Sequence, residues 1–183
     1  TAIYVIGRNA GEGADRSSTT KKTRATINGE EVEFEVGDYE LTETEKANLA
    51  LVGKNFDKVT VVLNVGGVID TKFMDEIEGL DALINMSQAG QEAGTAAFDV
   101  LTGTVTPSGK LTSTWAQNYS DYPASETFGG NDSEENLELY DEGIYAGYRY
   151  FDTFNITPAY EFGYGMSYTD FNIEVDGVEA LSL

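Results

Sequence analysis

One carboxylate in this chain sits where acid or base chemistry is feasible. It is Glu12, between Gly11 and Gly13, with Asp15 and Arg16 shortly after it. Glycines on both sides leave the backbone free to turn sharply and carry a side chain into an open crevice. A general acid at neutral pH needs a carboxyl whose pKa is raised by burial or by a neighbouring anion. A closed cleft around such a turn would supply both conditions, with Asp15 and Arg16 orienting the turn or binding hydroxyl groups. An exposed loop glutamate is the competing reading of the same residues. A phosphate-binding loop is a poor one. Gly7, Gly11 and Gly13 miss the Gly-x-Gly-x-x-Gly spacing, no helix follows directly, and Glu12 and Asp15 would repel a pyrophosphate.

Elements on either side must position this turn. The run Ala2-Ile3-Tyr4-Val5-Ile6 before it reads as a buried strand, and ligands of open α/β sheets bind beyond the carboxyl ends of strands. The polar, basic stretch from Ser17 to Arg24 reads as a solvated loop. Asn28-Gly29 then predicts a type I′ turn, because both central positions need positive φ. Glu31, Glu33 and Glu35 alternate with Val32, Phe34 and Val36, so residues 23–36 form a hairpin with one apolar face. It reads as an insertion that either packs on the surface or closes over the crevice. Thr42 with Glu45 makes a capping box for a helix running to Phe56. Lys58 to Val65 is a second apolar strand ended by Gly66-Gly67, and Thr71 to Glu78 a short helix. Asp81 to Ser87 is a third strand, and Gln91 to Leu101 a helix with Gly103 just past its end. Strands alternating with helices over short connections predict an α/β fold, a mostly parallel sheet covered by helices on both faces.

Composition narrows the chemistry. The 183 residues suffice for one domain with a real core. A formal net charge of −21 repels phosphate backbones, so nucleic acid is not expected as a partner. The chain has no histidine and no cysteine. A Ser-His-Asp triad, a Cys-His pair, disulfides and thiolate or histidine metal sites are therefore excluded from this chain alone. Acid/base work falls to Asp, Glu, Lys or Tyr. No run of about 18 apolar residues occurs, so no membrane-spanning segment is expected. The chain opens inside an apolar run without a methionine, which suggests a piece of a longer protein; cytosolic and secreted settings both suit it.

The later part is less regular. Asn118 to Glu138 reads as an acidic surface loop, and its spacing matches no EF-hand calcium loop. Ile144 to Phe151 reads as a strand rich in aromatics, followed by Tyr160, Phe162, Tyr164 and Tyr168. Such rings suit sugar stacking as well as packing. Phe171-Asn172-Ile173-Glu174-Val175 alternates like a strand leaving the domain.

Seven blocks in series carry a family resemblance. They are Ala10-Gly11-Glu12-Gly13-Ala14-Asp15-Arg16, Gly37-Asp38-Tyr39-Glu40-Leu41-Thr42, Val61-Val62-Leu63-Asn64-Val65-Gly66-Gly67-Val68-Ile69-Asp70, Gln88-Ala89-Gly90-Gln91-Glu92, Pro107-Ser108-Gly109-Lys110-Leu111, Tyr140-Asp141-Glu142-Gly143-Ile144-Tyr145-Ala146-Gly147-Tyr148-Arg149-Tyr150-Phe151, and Phe162-Gly163-Tyr164-Gly165-Met166-Ser167-Tyr168. In this order they resemble the α/β-sandwich domain of glycoside hydrolase family 3, the β-glucosidase and β-xylosidase family. The resemblance implies a retaining exo-β-glycosidase, in the first place a β-glucosidase acting on a β-glucoside or oligosaccharide, with no cofactor. It implies Glu12 as the general acid/base and an aspartate nucleophile on a TIM-barrel domain of the same protein; Asp15 and Arg16, from their place beside Glu12, are read as substrate contacts. It implies that residues 1–168 are a partial sandwich domain and that residues 169–183 lead toward a fibronectin-III-like module. The barrel's aspartate motif is not in this chain, and the sandwich's usual first part would precede Thr1. A non-catalytic sugar-binding or structural module with the same fold is the alternative.

Overall fold

The computed structural model describes residues 1–9, 17–128 and 139–177. Three strands form a parallel sheet: β1 (Ala2–Gly7), β4 (Val59–Asn64) and β5 (Ala82–Asn85), in the order β1-β4-β5. Between β1 and β4 the chain forms an antiparallel hairpin, β2 (Lys21–Ile27) and β3 (Glu30–Val36), and then helix α1 (Glu43–Asn55). Helix α2 (Phe73–Glu76) joins β4 to β5, and α3 (Ala93–Leu101) follows β5. The expected α/β architecture, a parallel sheet with helices, is thus observed.

Side-chain alternation along the strands decides the packing. Tyr4 and Ile6 of β1, Val61 and Leu63 of β4 and Leu83 of β5 turn to one face. There they join Leu49 of α1, Phe73 of α2, Leu41 and Trp115 in one core cluster. β4 has strand partners on both sides, and Val59, Val61 and Leu63 are fully buried. On the opposite face Val62 is buried at the centre, whereas Ile3 and Val5 on the edge strand are 55% and 57% exposed. α1 starts as its sequence requires. The Thr42 hydroxyl accepts from the Glu45 N–H at 3.0 Å, and the Glu45 carboxylate accepts from the Thr42 N–H at 2.9 Å. Later in the helix Gly53 meets the turn before β5 backbone to backbone. A Cβ there would lie 2.3 Å from the Glu78 carbonyl oxygen.

The hairpin turn is as expected, with φ of 53° at Asn28 and 88° at Gly29. Three other expectations are corrected. Ser17 to Arg24 is not wholly a loop, because β2 begins at Lys21 and pairs along its length with β3. Its Thr23, Ala25 and Ile27 continue the alternation that the lysines and arginine obscure. Ile144 to Phe151 is not a strand. Asp141–Ile144 is a turn and helix α4 spans Tyr148–Phe154. Gly147 sits at φ 60°, ψ −138°, which ends any extended run, and within α4 Phe151 is the buried residue. Helical spacing also brings Tyr150 and Phe154 together, ring centroids 5.0 Å apart. Phe171 to Val175 forms no strand. It has no ladder partner among the described residues, and Ile173 is 91% exposed.

The segment after Asn118 is better packed than an acidic loop suggests. Tyr119 and Tyr122 are half-buried, and Tyr122 accepts the Ala116 N–H at 3.0 Å. Edge-to-face contacts then run from Tyr39 to Tyr119, Tyr122, Phe151 and Tyr150 at centroid separations of 5.3, 6.3, 6.1 and 5.9 Å. The expected acidic run 129–138 lies outside the described residues.

Candidate active site

The parallel register aligns the carboxyl ends of the strands. Gly7 lies opposite Asn64, and Leu63 opposite Asn85. At this edge the chain leaves β1 toward Glu12, leaves β4 through Gly66-Gly67, and leaves β5 through Ser87 and Gln88. Asn64, opposite Gly7, and Asn85 and Gln88, at and beyond the end of β5, are exposed polar residues along this edge. Glu12, Asp15 and Arg16 themselves lie outside the described residues.

On the upstream side stands Arg8. Its side chain is 4% exposed. Its backbone N–H donates to the Asn64 carbonyl at 3.0 Å, extending the β1–β4 ladder by one bond. The guanidinium forks onto the Glu45 carboxylate, with Nη1 to Oε1 at 2.7 Å and Nη2 to Oε2 at 2.8 Å. Nε donates to the Asp38 carbonyl at 2.8 Å, Nη1 to the Gly7 carbonyl at 2.8 Å and Nη2 to the Glu40 carbonyl at 3.3 Å. Guanidinium has five N–H donors, so every one is engaged. Burial alone would raise the Glu45 pKa. The hydrogen bonds from Arg8 and from the Thr42 N–H outweigh it and hold Glu45 below the ordinary glutamate value.

On the downstream side stands Ser17. Its N–H donates to the Asp38 carboxylate in a short bond, and its carbonyl accepts from the Tyr39 N–H at 3.2 Å. The Tyr39 carbonyl in turn accepts from the Asp70 N–H at 2.8 Å. Tyr39 is buried, and desolvation, with the nearby Tyr122 and Asp70, raises its pKa well above the usual phenol range. It works as a packed ring here and not as an acid near neutral pH. Residues 37–40 are thus a platform that both flanks of the Glu12 segment reach.

The sequence pattern identified the capping box and the Gly37-Asp38-Tyr39 block, but not this joint use of them. The available signal was Arg8 itself, an arginine directly after an apolar strand, where a buried charge must find a carboxylate. Two concavities lie elsewhere. One of about 290 Å³ is lined by Tyr145, Tyr148, Arg149 and Asp152 among others, and one of about 350 Å³ by Tyr122, Glu126, Asp141 and Tyr150 among others. Neither is lined by a strand-end residue. The tyrosines considered for sugar stacking are engaged in packing at Tyr160, which meets Trp115 edge-on at 6.3 Å, and exposed at Tyr164 and Tyr168. Among the described residues no cluster of three or more acidic side chains could hold a metal ion.

A parallel sheet with helices defines an α/β domain, and among the described residues no helix is long and apolar enough to cross a membrane. The chain belongs to glycosyl hydrolase family 3: the family's C-terminal domain matches residues 1–148. It is 42% identical over 178 residues to a β-glucosidase of Ruminococcus albus, covering 97% of this chain and 17% of that protein. It is 39% identical to β-glucosidase A of Butyrivibrio fibrisolvens, covering 95% of this chain and 22% of that protein. Among solved structures it resembles β-glucosidase 3B from Thermotoga neapolitana in complex with glucose. The TM-score is 0.75 at 38% identity, over 95% of this chain and 23% of that one. The chain therefore spans about a fifth of the length of the relatives it matches.

Proposed function

We propose that this chain is part of a retaining exo-β-glycosidase, a β-glucosidase hydrolysing terminal non-reducing β-D-glucosyl residues, and that Glu12 is its general acid/base. The observation that carries the reading is the similarity to β-glucosidases over nearly the whole chain; the choice of Glu12 rests on its glycine flanks in the sequence. Glu12 protonates the glycosidic oxygen as an aspartate nucleophile attacks the anomeric carbon. It then takes a proton from the water that releases the sugar. The nucleophile belongs to a TIM-barrel domain of the same polypeptide. Retention requires the two carboxyls about 5–5.5 Å apart, so the barrel docks against the carboxyl edge of the sheet. Asp15 and Arg16 contact the substrate. Residues 1–168 form part of the sandwich domain, and residues 169–183 lead toward a further β-rich module.

The test uses the full-length polypeptide and two substrates, cellobiose and 2,4-dinitrophenyl β-glucoside. Glu12→Ala is expected to lower kcat/KM for cellobiose by about 10²-fold or more, because its leaving group needs a proton. The aryl glucoside should lose little in kcat/KM, and azide should partly restore its turnover. Equal losses on both substrates would remove Glu12 from the role. The 183-residue chain alone is expected to be inactive; turnover abolished by Glu12→Gln would show that no barrel is required.

A further inference from the structure

We infer that Arg8 and Asp38 are positioning residues for the Glu12 turn, acting by tying its two flanks to the single platform of residues 37–40. The inference rests on the reading of Glu12 as the acid/base.

Two independent sets of bonds converge on this platform. From upstream, Arg8 reaches the carbonyls of Asp38 and Glu40. From downstream, Ser17 reaches the Asp38 carboxylate and receives the Tyr39 N–H. Asp38 takes part in both, with its carbonyl on one side and its side chain on the other. The platform is itself fixed. Leu41 is in the core, Tyr39 is buried, and Glu45 binds Arg8 while it caps α1.

Arg8 cannot serve as a substrate ligand in this arrangement, because its five donors are spent on three carbonyls and one carboxylate. Holding β1 beside β4 also does not need the guanidinium, since the backbone ladder from Ala2 to Gly7 does that. What the guanidinium adds is a fixed exit for the chain at the end of β1. Lysine has neither the fork nor the donor count to replace it. Gly37 leaves room for this fork: a Cβ there would come within 2.7 Å of Arg8 Nη2 and 3.0 Å of Glu45 Oε2. A misplacement of about 1 Å in a reacting group costs on the order of 10²-fold in rate.

The experiment compares Arg8→Lys, Asp38→Ala, Asp38→Asn and Gly37→Ala with Glu12→Ala in the full-length enzyme. For each, kcat/KM is measured on cellobiose and on 2,4-dinitrophenyl β-glucoside across pH, alongside thermal unfolding. Arg8→Lys and Asp38→Ala should lower kcat/KM on cellobiose about 10-fold or more and on the aryl glucoside about threefold or less. They should also move the basic limb of the pH profile, which reports the acid's ionisation. Asp38→Asn keeps an acceptor for the Ser17 N–H and should restore most of the loss. Gly37→Ala removes no polar group and should fall between wild type and Arg8→Lys. A residue that only stabilises the fold would lower the unfolding temperature and reduce both substrates equally. That outcome in both Arg8→Lys and Asp38→Ala, with Glu12→Ala still selective, overturns the positioning role alone. Loss of selectivity in Glu12→Ala overturns the acid/base reading beneath it. If Arg8→Lys does not fold, half-buried Asp38 and Gly37 carry the comparison.

Discussion

β4 with Val65 and the stretch from Phe162 to Val175 are both rich in alternating apolar residues, and they meet opposite fates. Val59, Val61, Leu63 and Val65 are buried almost completely. Phe162, Tyr164, Met166, Tyr168, Phe171, Ile173 and Val175 are all exposed. β4 gains ladder partners on both sides and a helix layer over one face. The later stretch has no ladder partner among the described residues and is tied at separate points, through Leu111 N–H to the Tyr164 carbonyl at 2.8 Å, Gly163 N–H to the Leu111 carbonyl at 2.8 Å and the Tyr168 hydroxyl to the Val100 carbonyl at 2.9 Å. Alternation is a local property, whereas burial needs distant partners. An alternating pattern therefore becomes a strand only where at least one neighbour is available to pair with it, and is buried only where further elements cover it.

Substitutions can break this contrast at graded points. Leu63→Ala should have the largest effect, about 3 kcal/mol, because a fully buried side chain is removed from a core whose neighbours are held by strands. It is read from the shift in the denaturation midpoint. Gly53→Ala should cost about 2 kcal/mol, since its methyl group must push α1 off the Glu78 carbonyl and backbone atoms cannot swing aside. An unchanged midpoint would mean that the close approach is dispensable.

Glu45→Gln should cost about 1–2 kcal/mol at neutral pH, with half-buried Glu45 giving less than a fully enclosed ion pair. Its pH dependence has a definite sign. The Glu45 pKa is lower in the folded protein than its ordinary value of 4.5, so its contribution is fully present above that value. It is lost as the pH falls below 4.5 and through the lower, folded value. The difference between wild type and Glu45→Gln should therefore shrink over that acid interval and stay constant above it. Denaturation midpoints at several pH values check this. Ile173→Ala should have the smallest effect, within about 0.5 kcal/mol in the 183-residue chain. A much larger cost in the longer polypeptide alone would show that another segment covers this residue there.

Much of the architecture was legible because its signals are local. The Thr42–Glu45 box, the Asn28-Gly29 turn and the apolar run of β4 each declare themselves within a few residues. α4 was misread because tyrosine and phenylalanine favour strands in general, and the preference was decided by Gly147 and by the one burial site available to Phe151. Glu12 is proposed from its glycine flanks and from the resemblance. The anchoring around it was not legible, since Arg8, Asp38 and Glu45 lie 30 and 37 positions apart and become neighbours only after folding. A buried arginine announces that a partner exists but not which carboxylate it is.

The β2–β3 hairpin is closed at its root by the two bonds between Ser17 and the Asp38–Tyr39 backbone and side chain. Its own strands are held by their mutual ladder and by exposed pairs such as Arg24–Glu33 at 3.2 Å. Everything between Thr19 and Val36 is in effect a cassette plugged into a fixed socket. Evolution or an engineer can lengthen, shorten or exchange it, and the platform beneath would keep its register. Changes of length in this one excursion would therefore leave the ends of β1 and β4 where they are.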